Sequence, residues 1–401
     1  MKICETNECT GCSACMNICP TNSISMEENV YGEIYPSIDV DSCINCKKCV
    51  NTCPNNKKQN FVMPQHVYAA SRSNATKLLN SASGGIGAVL AEKWIIEGGI
   101  VCGTRYDQNF KPYISIENDL SGIEAFKGSK YVQSSVGFVY NKVKSLLEQG
   151  KKVLFFGTPC QIAGLYSIVD KNNPNVTTVE ILCHGVSPFK YFREELVQLR
   201  KEHGFNTFDN VTFRTNQWML DFYFTIWNNG KPIYEKQAYE NRYFSAFLSG
   251  LSLRESCYQC HYKNKERLGD VLIGDFIGLG KKIPYVGNPG HKSLVMCMTK
   301  KGYDLYQSCY DQVESVERTI EEAVIEGRSL REPFPKHPNR EQFRELVKKD
   351  GFILAANSAL GRDISEREKK NRKMEIKRRI KLWLKYTFHM RIEYRKIYFD
   401  D

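Results

Sequence analysis

Cys9-Thr-Gly-Cys12-Ser-Ala-Cys15-Met-Asn-Ile-Cys19-Pro20 is followed by a second copy of the same pattern, Cys43-Ile-Asn-Cys46-Lys-Lys-Cys49-Val-Asn-Thr-Cys53-Pro54. Each copy has the form C-x2-C-x2-C-x3-C-P, the bacterial run that ligates 4Fe–4S cubes. Two-residue gaps let a tight loop wrap three thiolates around one cube, while the fourth cysteine starts a segment leading to the other. The spacing therefore pairs Cys9, Cys12, Cys15 and Cys53 around one cluster, and Cys43, Cys46, Cys49 and Cys19 around the second. Nine of the 16 cysteines lie within the first 53 residues. Such clusters only pass electrons, so the rest of the sequence must say what they feed.

At 401 residues the chain has room for two or three domains, each with its own core. Its apolar share of 42% is ordinary for a globular protein. The start carries no basic-apolar-small leader pattern, and no run of about 18 apolar residues could span a bilayer. A cytoplasmic location with reduced thiols is expected rather than a secreted disulfide scaffold. The net charge of +11 is uneven. Lys369, Lys370, Arg372, Lys373, Lys377, Arg378, Arg379, Lys381 and Lys385 crowd one late stretch, and the rest is closer to balance.

Residues 1–58 read as an α+β ferredoxin-like two-cluster module, with two short strands around an Asn-containing turn between Ile24 and Ile34. The polar run Asn55–Asn60 reads as a linker. Alternating strand and helix patterns then predict an α/β core with a mixed, largely parallel sheet. Strands are expected at His66–Ser71, Gly99–Gly103, Lys111–Ile116, Lys152–Phe156, Thr178–Leu182, Val271–Ile273 and Leu294–Met298. Helices are expected at Ile86–Ile96, Val136–Leu147 and Gln161–Val169. The aromatic stretch Val211–Glu235 suggests an antiparallel excursion, and helical segments are expected from Tyr303 to the end. The expected domains are residues 1–58, a core in two parts at 62–150 and 151–315, and a helical region with a basic tail at 316–401.

Four later cysteines sit at informative places. Cys160 and Cys183 follow predicted strands, and ligand crevices in open α/β sheets form outside the carboxyl ends of strands. Cys257-Tyr-Gln-Cys260 adds a C-x2-C pair just before another strand. Together they could complete a four-thiolate site, and spacing alone leaves open a third 4Fe–4S cluster, a zinc ion or cysteines that never meet. Ser81-Ala-Ser83-Gly84-Gly85 opens a predicted helix, where bare backbone N–H groups suit a phosphate, although glycine also serves ordinary turns.

Ser83-Gly84-Gly85, Gly128-Ser129-Lys130-Tyr131, Gly157-Thr-Pro-Cys160-Gln161, Cys183-His-Gly185, Cys257-x2-Cys260 and Gly269-Asp-Val-Leu-Ile-Gly-Asp275 occur in that order. This ordered set, over roughly residues 66–310, resembles the beta-subunit family of coenzyme F420 hydrogenases and dehydrogenases. The resemblance implies FAD beside a 4Fe–4S cluster, the latter held by Cys160, Cys183, Cys257 and Cys260. It makes Ser83, Gly84 and Gly85 candidates for the FAD pyrophosphate, with Gly128, Ser129, Lys130, Tyr131 and Asp275 as further flavin contacts. Zinc remains the alternative at the third site. His184 and His291 lie near these motifs and could relay protons. Cys4, Cys102, Cys297 and Cys309 have no assigned role, and catalytic residues stay unknown.

The late basic segment, from Ser365 to Phe388, suits a helix with Ile376, Ile380, Trp383 and Thr387 on one face. It could dock on an anionic membrane surface or an acidic redox partner, or simply be solvated. No nucleic-acid module accompanies it. The leading reading is an iron–sulfur flavoprotein oxidoreductase acting on an unidentified organic substrate or a deazaflavin coenzyme. The alternatives are a non-catalytic electron-transfer subunit of a larger complex and a zinc-stabilised binding module. Fold and cofactors do not fix the substrate.

Overall fold

The computed structural model describes residues 1–79, 81–214, 222–286 and 292–388. In the cysteine module, strands β1 (Ile24–Glu28) and β2 (Ile34–Ile38) pair antiparallel, with Ile24 opposite Ile38. Their turn is set by Asn29, whose side-chain oxygen accepts from the N–H groups of Tyr31 and Glu33. The two cysteine runs fold alike. Each enters a short helix, Ala14–Ile18 or Lys48–Thr52, through a left-handed residue, Ser13 or Lys47. The expected linker is instead folded back onto the module: Asn55 donates to the Glu8 carbonyl at 2.7 Å, and Asn56 to that of Ile3 at 2.8 Å.

The core sheet has eight strands, named here with a separate small sheet in chain order. They are β3 (His66–Arg72), β4 (Ile100–Tyr106), β5 (Pro112–Glu117), β6 (Val153–Gly157) and β7 (Val176–Ile181), then β8 (Asn210–Thr212), β9 (Tyr223–Asn228) and β10 (Lys231–Gln237), and finally β11 (Val271–Asp275), β12 (Ser293–Cys297) and β13 (Val313–Arg318). The large sheet runs β13-β3-β12-β11-β7-β6-β4-β5. Its centre, β11-β7-β6-β4, is parallel, and the flanking pairs are antiparallel. The expected mixed sheet with a parallel body is what forms.

β6 is apolar on both sides because both faces are covered, whereas β7 buries Thr177, Thr178 and Glu180. Val101, Leu154, Val179 and Val271 pack with helix Ile86–Ile96 on one face. Cys102, Val153 and Phe155 pack with helices Val139–Glu148 and Pro159–Tyr166 on the other, where Ala14 of the cysteine module joins them. The antiparallel excursion is the three-stranded sheet β10-β9-β8. It packs against helices Phe189–His203 and Arg242–Leu248 in an aromatic core that includes Phe192, Phe213, Phe224, Tyr243 and Phe244.

Two expectations about the late region need correction. The stretch after Tyr303 is not helical throughout, because β13 joins the sheet edge beside β3. Its one-sided pattern, with Val313 buried and Glu314 and Glu317 exposed, is that of an edge strand. The last helix begins at Phe352 rather than Ser365, and the Glu194 carboxylate accepts from the Phe352 N–H at 2.7 Å. That helix runs to Phe388, but the side chains of Ile376, Ile380, Trp383 and Thr387, and of the basic residues from Lys377 on, lie outside the described residues. No helix among the described residues is long and apolar enough to cross a membrane.

Candidate functional site

Because β6, β7 and β11 are mutually parallel, their carboxyl ends open on the same edge of the sheet. Cys160 follows β6, Cys183 follows β7, and Asp275 closes β11. A cavity of about 320 Å³ lies there, within the usual range for ligand pockets. It is bordered by Cys12, Cys160 and Cys183, and by Ser83, Gly85, Gly128, Ser129, Lys130, Tyr131 and Asp275. Residues remote in sequence thus meet in one place.

The cysteines gather in three sets. Cys9, Cys12 and Cys53 all bear electrostatically on Cys15, which places these four together. Cys19, Cys43, Cys46 and Cys49 line one small hollow. Cys46 is exposed there, and Val40 and Ile44 in the same loop are 75% and 64% exposed. Cys183, Cys260 and Cys257 all bear on Cys160, whose thiol burial pushes well above its ordinary value. Burial likewise pushes Cys257 up to about 12. No three His, Cys, Asp or Glu side chains among the described residues close in tightly enough to hold a single ion. Cys4, which the spacing left without a role, lies beside Cys53 and Cys9, whose proximity pushes its thiol upward. Cys102, Cys297 and Cys309 are buried in the sheet cores, as small apolar residues are.

The first and third sets lie close together. Gly164, in the helix that carries Cys160, approaches Cys12 so nearly that an added Cβ would sit 3.2 Å from the Cys12 Cβ. Tyr140 and Tyr262 are pushed up by burial and then by the charges of both Cys12 and Cys160. The cysteine module is locked in this position. Asn141 donates its backbone N–H to Asn17 Oδ1 at 3.1 Å and its side-chain amide to the Asn17 carbonyl at 2.8 Å, and Gln133 donates to the Thr10 carbonyl at 3.1 Å. Buried Glu33 accepts from Arg344 at 3.3 Å.

At the other end of the cavity, Gly85 precedes helix Ile86–Ile96, whose first N–H groups have no partner within the helix. The Gly84 N–H is already taken by Ser293 Oγ at 2.9 Å, and Ser83 Oγ accepts from the same hydroxyl at 3.1 Å. Ser83 and Gly84 therefore shape the turn, and Ile86, Gly87 and Ala88 of the helix's first turn border the cavity. Cations surround this turn: Arg72 is paired with Glu92, which also has Lys77 at 3.7 Å and Lys127 at 3.6 Å. Lys127 also pairs with Glu124 at 2.6 Å, so three cations stand against two carboxylates and leave net positive charge near the cavity.

Lys130 turns its Nζ to the carbonyls of Lys127 and Gly128 at 3.0 and 3.3 Å. Burial and the charge of Arg105 push it down to about 7. Tyr131 stacks on Phe247 at 5.0 Å between ring centres. Asp275 is paired with Arg214 at 2.9 Å, and the buried Arg214 Nε has no partner. Arg214 also borders the cavity and carried no motif in the sequence. Its approach to Asp275 depends on a pairing across 61 residues. His184 borders the cavity with Nε2 at 3.2 Å from the Phe247 carbonyl, and burial, then Lys263, pushes it down to about 4. It is therefore neutral near pH 7. His291 lies outside the described residues.

Residues 8–57 match the family model of the 4Fe-4S dicluster domain. Residues 150–323 match the model of the C terminus of the coenzyme F420 hydrogenase/dehydrogenase beta subunit. The chain carries this beta-subunit domain behind a dicluster domain. It is an iron–sulfur electron-transfer oxidoreductase chain related to the F420 hydrogenase beta subunit. A solved structure, the xenon-derivatised F420-reducing [NiFe] hydrogenase complex from Methanosarcina barkeri, includes a chain similar to it. The two are 17% identical, the match covers 75% of this chain and 94% of that one, and the TM-score is 0.44. No match is found among curated proteins. Within the beta-subunit domain fall Cys160, Cys183, Cys257, Cys260, Arg214 and Asp275, whereas Ser83–Gly85 and Gly128–Tyr131 precede it.

Proposed function

We propose that this chain is an iron–sulfur flavoprotein oxidoreductase. Electrons pass between the ferredoxin-type clusters and FAD through a third 4Fe–4S cluster held by Cys160, Cys183, Cys257 and Cys260, and on to an organic substrate. The observation that carries this reading is the cavity bordered at once by Cys12, by Cys160 and Cys183, and by the candidate flavin residues. Bound FAD would exchange electrons singly with clusters and in pairs with a substrate.

The residues present suit that cofactor. The N–H groups at the start of helix Ile86–Ile96, together with Lys127 and Lys77, favour a pyrophosphate. Gly274 borders the cavity at the end of β11, where an added Cβ would run into the Leu182 side chain. Tyr131 and Phe247 supply an aromatic wall, and the unpartnered Arg214 Nε offers a buried donor. Neutral His184, fixed by the Phe247 carbonyl, orients rather than supplies a proton.

The third set suits a cluster. Its four cysteines share a buried neighbourhood, and the Thr158 hydroxyl reaches Cys160 Sγ at 3.3 Å. The exposed rim of Val40, Ile44 and Cys46 is the natural docking surface for a redox partner protein, because it brings the second set nearest to solvent.

Anaerobic iron, sulfide and flavin quantitation tests the reading. About twelve irons from three cubes and one flavin are expected, falling to about eight irons with the flavin retained in Cys257→Ser. Full iron without flavin, or eight irons with one zinc, would overturn it.

A further inference from the structure

Five Lys or Arg residues are buried among the described residues: Arg72, Arg254, Lys263, Arg267 and Arg340. A buried cation is costly unless a counter-charge accompanies it. Arg72 has Glu92, Arg267 has Glu180, and Arg340 has Glu255. The other two lack a carboxylate partner. Arg254 Nε instead donates to the Cys9 carbonyl, at the first cysteine set. Lys263 Nζ donates to the carbonyls of Cys183 and His184 and to Ser329 Oγ, the last two at 3.1 Å. Both Cys257 and Cys260 feel its charge. Of these five, the two without a carboxylate are thus the two that lie against cysteine sets.

A cube held by four thiolates carries net negative charge, which reduction increases by one electron. A fixed cation beside it favours the reduced form, and charge and hydrogen bonding around a cluster set its potential. We propose that Lys263 is the counter-charge of the third cluster and raises that cluster's reduction potential. This rests on the third-cluster reading above. The role is one of positioning charge, since Lys263 reaches the ligands through backbone carbonyls and touches no reacting atom.

Anaerobic potentiometric titration of the full chain, followed by electron paramagnetic resonance, tests it. The third cluster's signal is identified as the one missing from Cys257→Ser. Lys263→Met is expected to keep about twelve irons and to titrate at a lower potential, with the ferredoxin-type signals unmoved. Lys263→Arg is expected to stay near the wild-type value. Lys263→Gln keeps a donor toward the same carbonyls without the charge, and it too should titrate lower. A neutral variant with full iron and an unmoved midpoint would overturn the proposal. So would loss of the third cluster from both neutral variants, which would leave Lys263 a structural peg. A wild-type chain holding only about eight irons fails differently, removing the third cluster itself.

Discussion

Arg254 donates its Nε–H to the carbonyl oxygen of Cys9 at 2.8 Å, across 245 residues of sequence. Its Nη1 reaches Gln133 Oε1 at 3.3 Å, and the Tyr35 ring lies 4.4 Å from the guanidinium. One buried side chain thus ties the first cysteine loop to the core. Gly11, with φ of 68°, makes this possible, since a Cβ there would lie 2.9 Å from Gln133 Nε2. Replacing Arg254 by Met leaves the Cys9 carbonyl without its donor, at a cost of about 1–3 kcal/mol. Thermal melts followed through cluster absorbance should show earlier bleaching than in the unsubstituted chain.

Arg267 and Glu180 form a buried ion pair, each almost fully hidden. Removing one partner strands the other, so Arg267→Met is expected to cost about 3–5 kcal/mol in urea unfolding. Adding Glu180→Leu should recover part of that loss. Recovery stays incomplete because the Gly269 N–H also donates to Glu180, at 3.0 Å. Full additivity of the two changes would contradict this coupling.

Lys130 supplies a pH signature. Its folded-state value is depressed to about 7, whereas an unfolded lysine titrates near ~10.4. Between those values the unfolded chain binds more protons than the folded one. Stability should therefore rise with pH across that window, and the gain is lost as pH falls through about 7. Comparing denaturation midpoints of wild type and Lys130→Met from pH 7 to ~10 isolates this contribution. Parallel curves would show that Lys130 is not the source.

Gly164 controls how near the first cysteine set comes to the third. An added Cβ would stand 2.8 Å from Tyr140 Oη and 3.2 Å from the Cys12 Cβ. Gly164→Val is expected to cost about 1–3 kcal/mol through overpacking. Stopped-flow reduction should show slower onward electron passage while iron content stays unchanged. An unaltered rate would mean that this contact is not on the route.

Much of this was legible in the sequence, for reasons specific to each part. The grouping of Cys53 with Cys9, Cys12 and Cys15, and of Cys19 with Cys43, Cys46 and Cys49, was readable from the repeated run, because two-residue gaps leave little freedom in how its loop folds. β6 was readable as a continuous apolar run, since a strand buried on both faces needs no polar alternation. β13 escaped because only its Val313 end is buried, and Glu314 and Glu317 face outward as in a surface helix. Arg214 and Lys263 were invisible for another reason. Each matters through a partner fixed by tertiary structure, Asp275 at 61 residues' separation and Cys183 at 80. Cys4 was equally silent until folding brought it beside Cys9 and Cys53.

The clamps that hold the amino-terminal module have a kinetic meaning. Some electron carriers work as swinging arms, with rates limited by how often a tethered domain finds its dock. Here Asn17, Glu33 and the Cys9 and Thr10 carbonyls are each held by the core. The module behaves as a soldered contact rather than a plug. Traffic between the first and third cysteine sets should then be insensitive to solvent viscosity, and nicking the chain between the two bodies should leave them conducting as one piece.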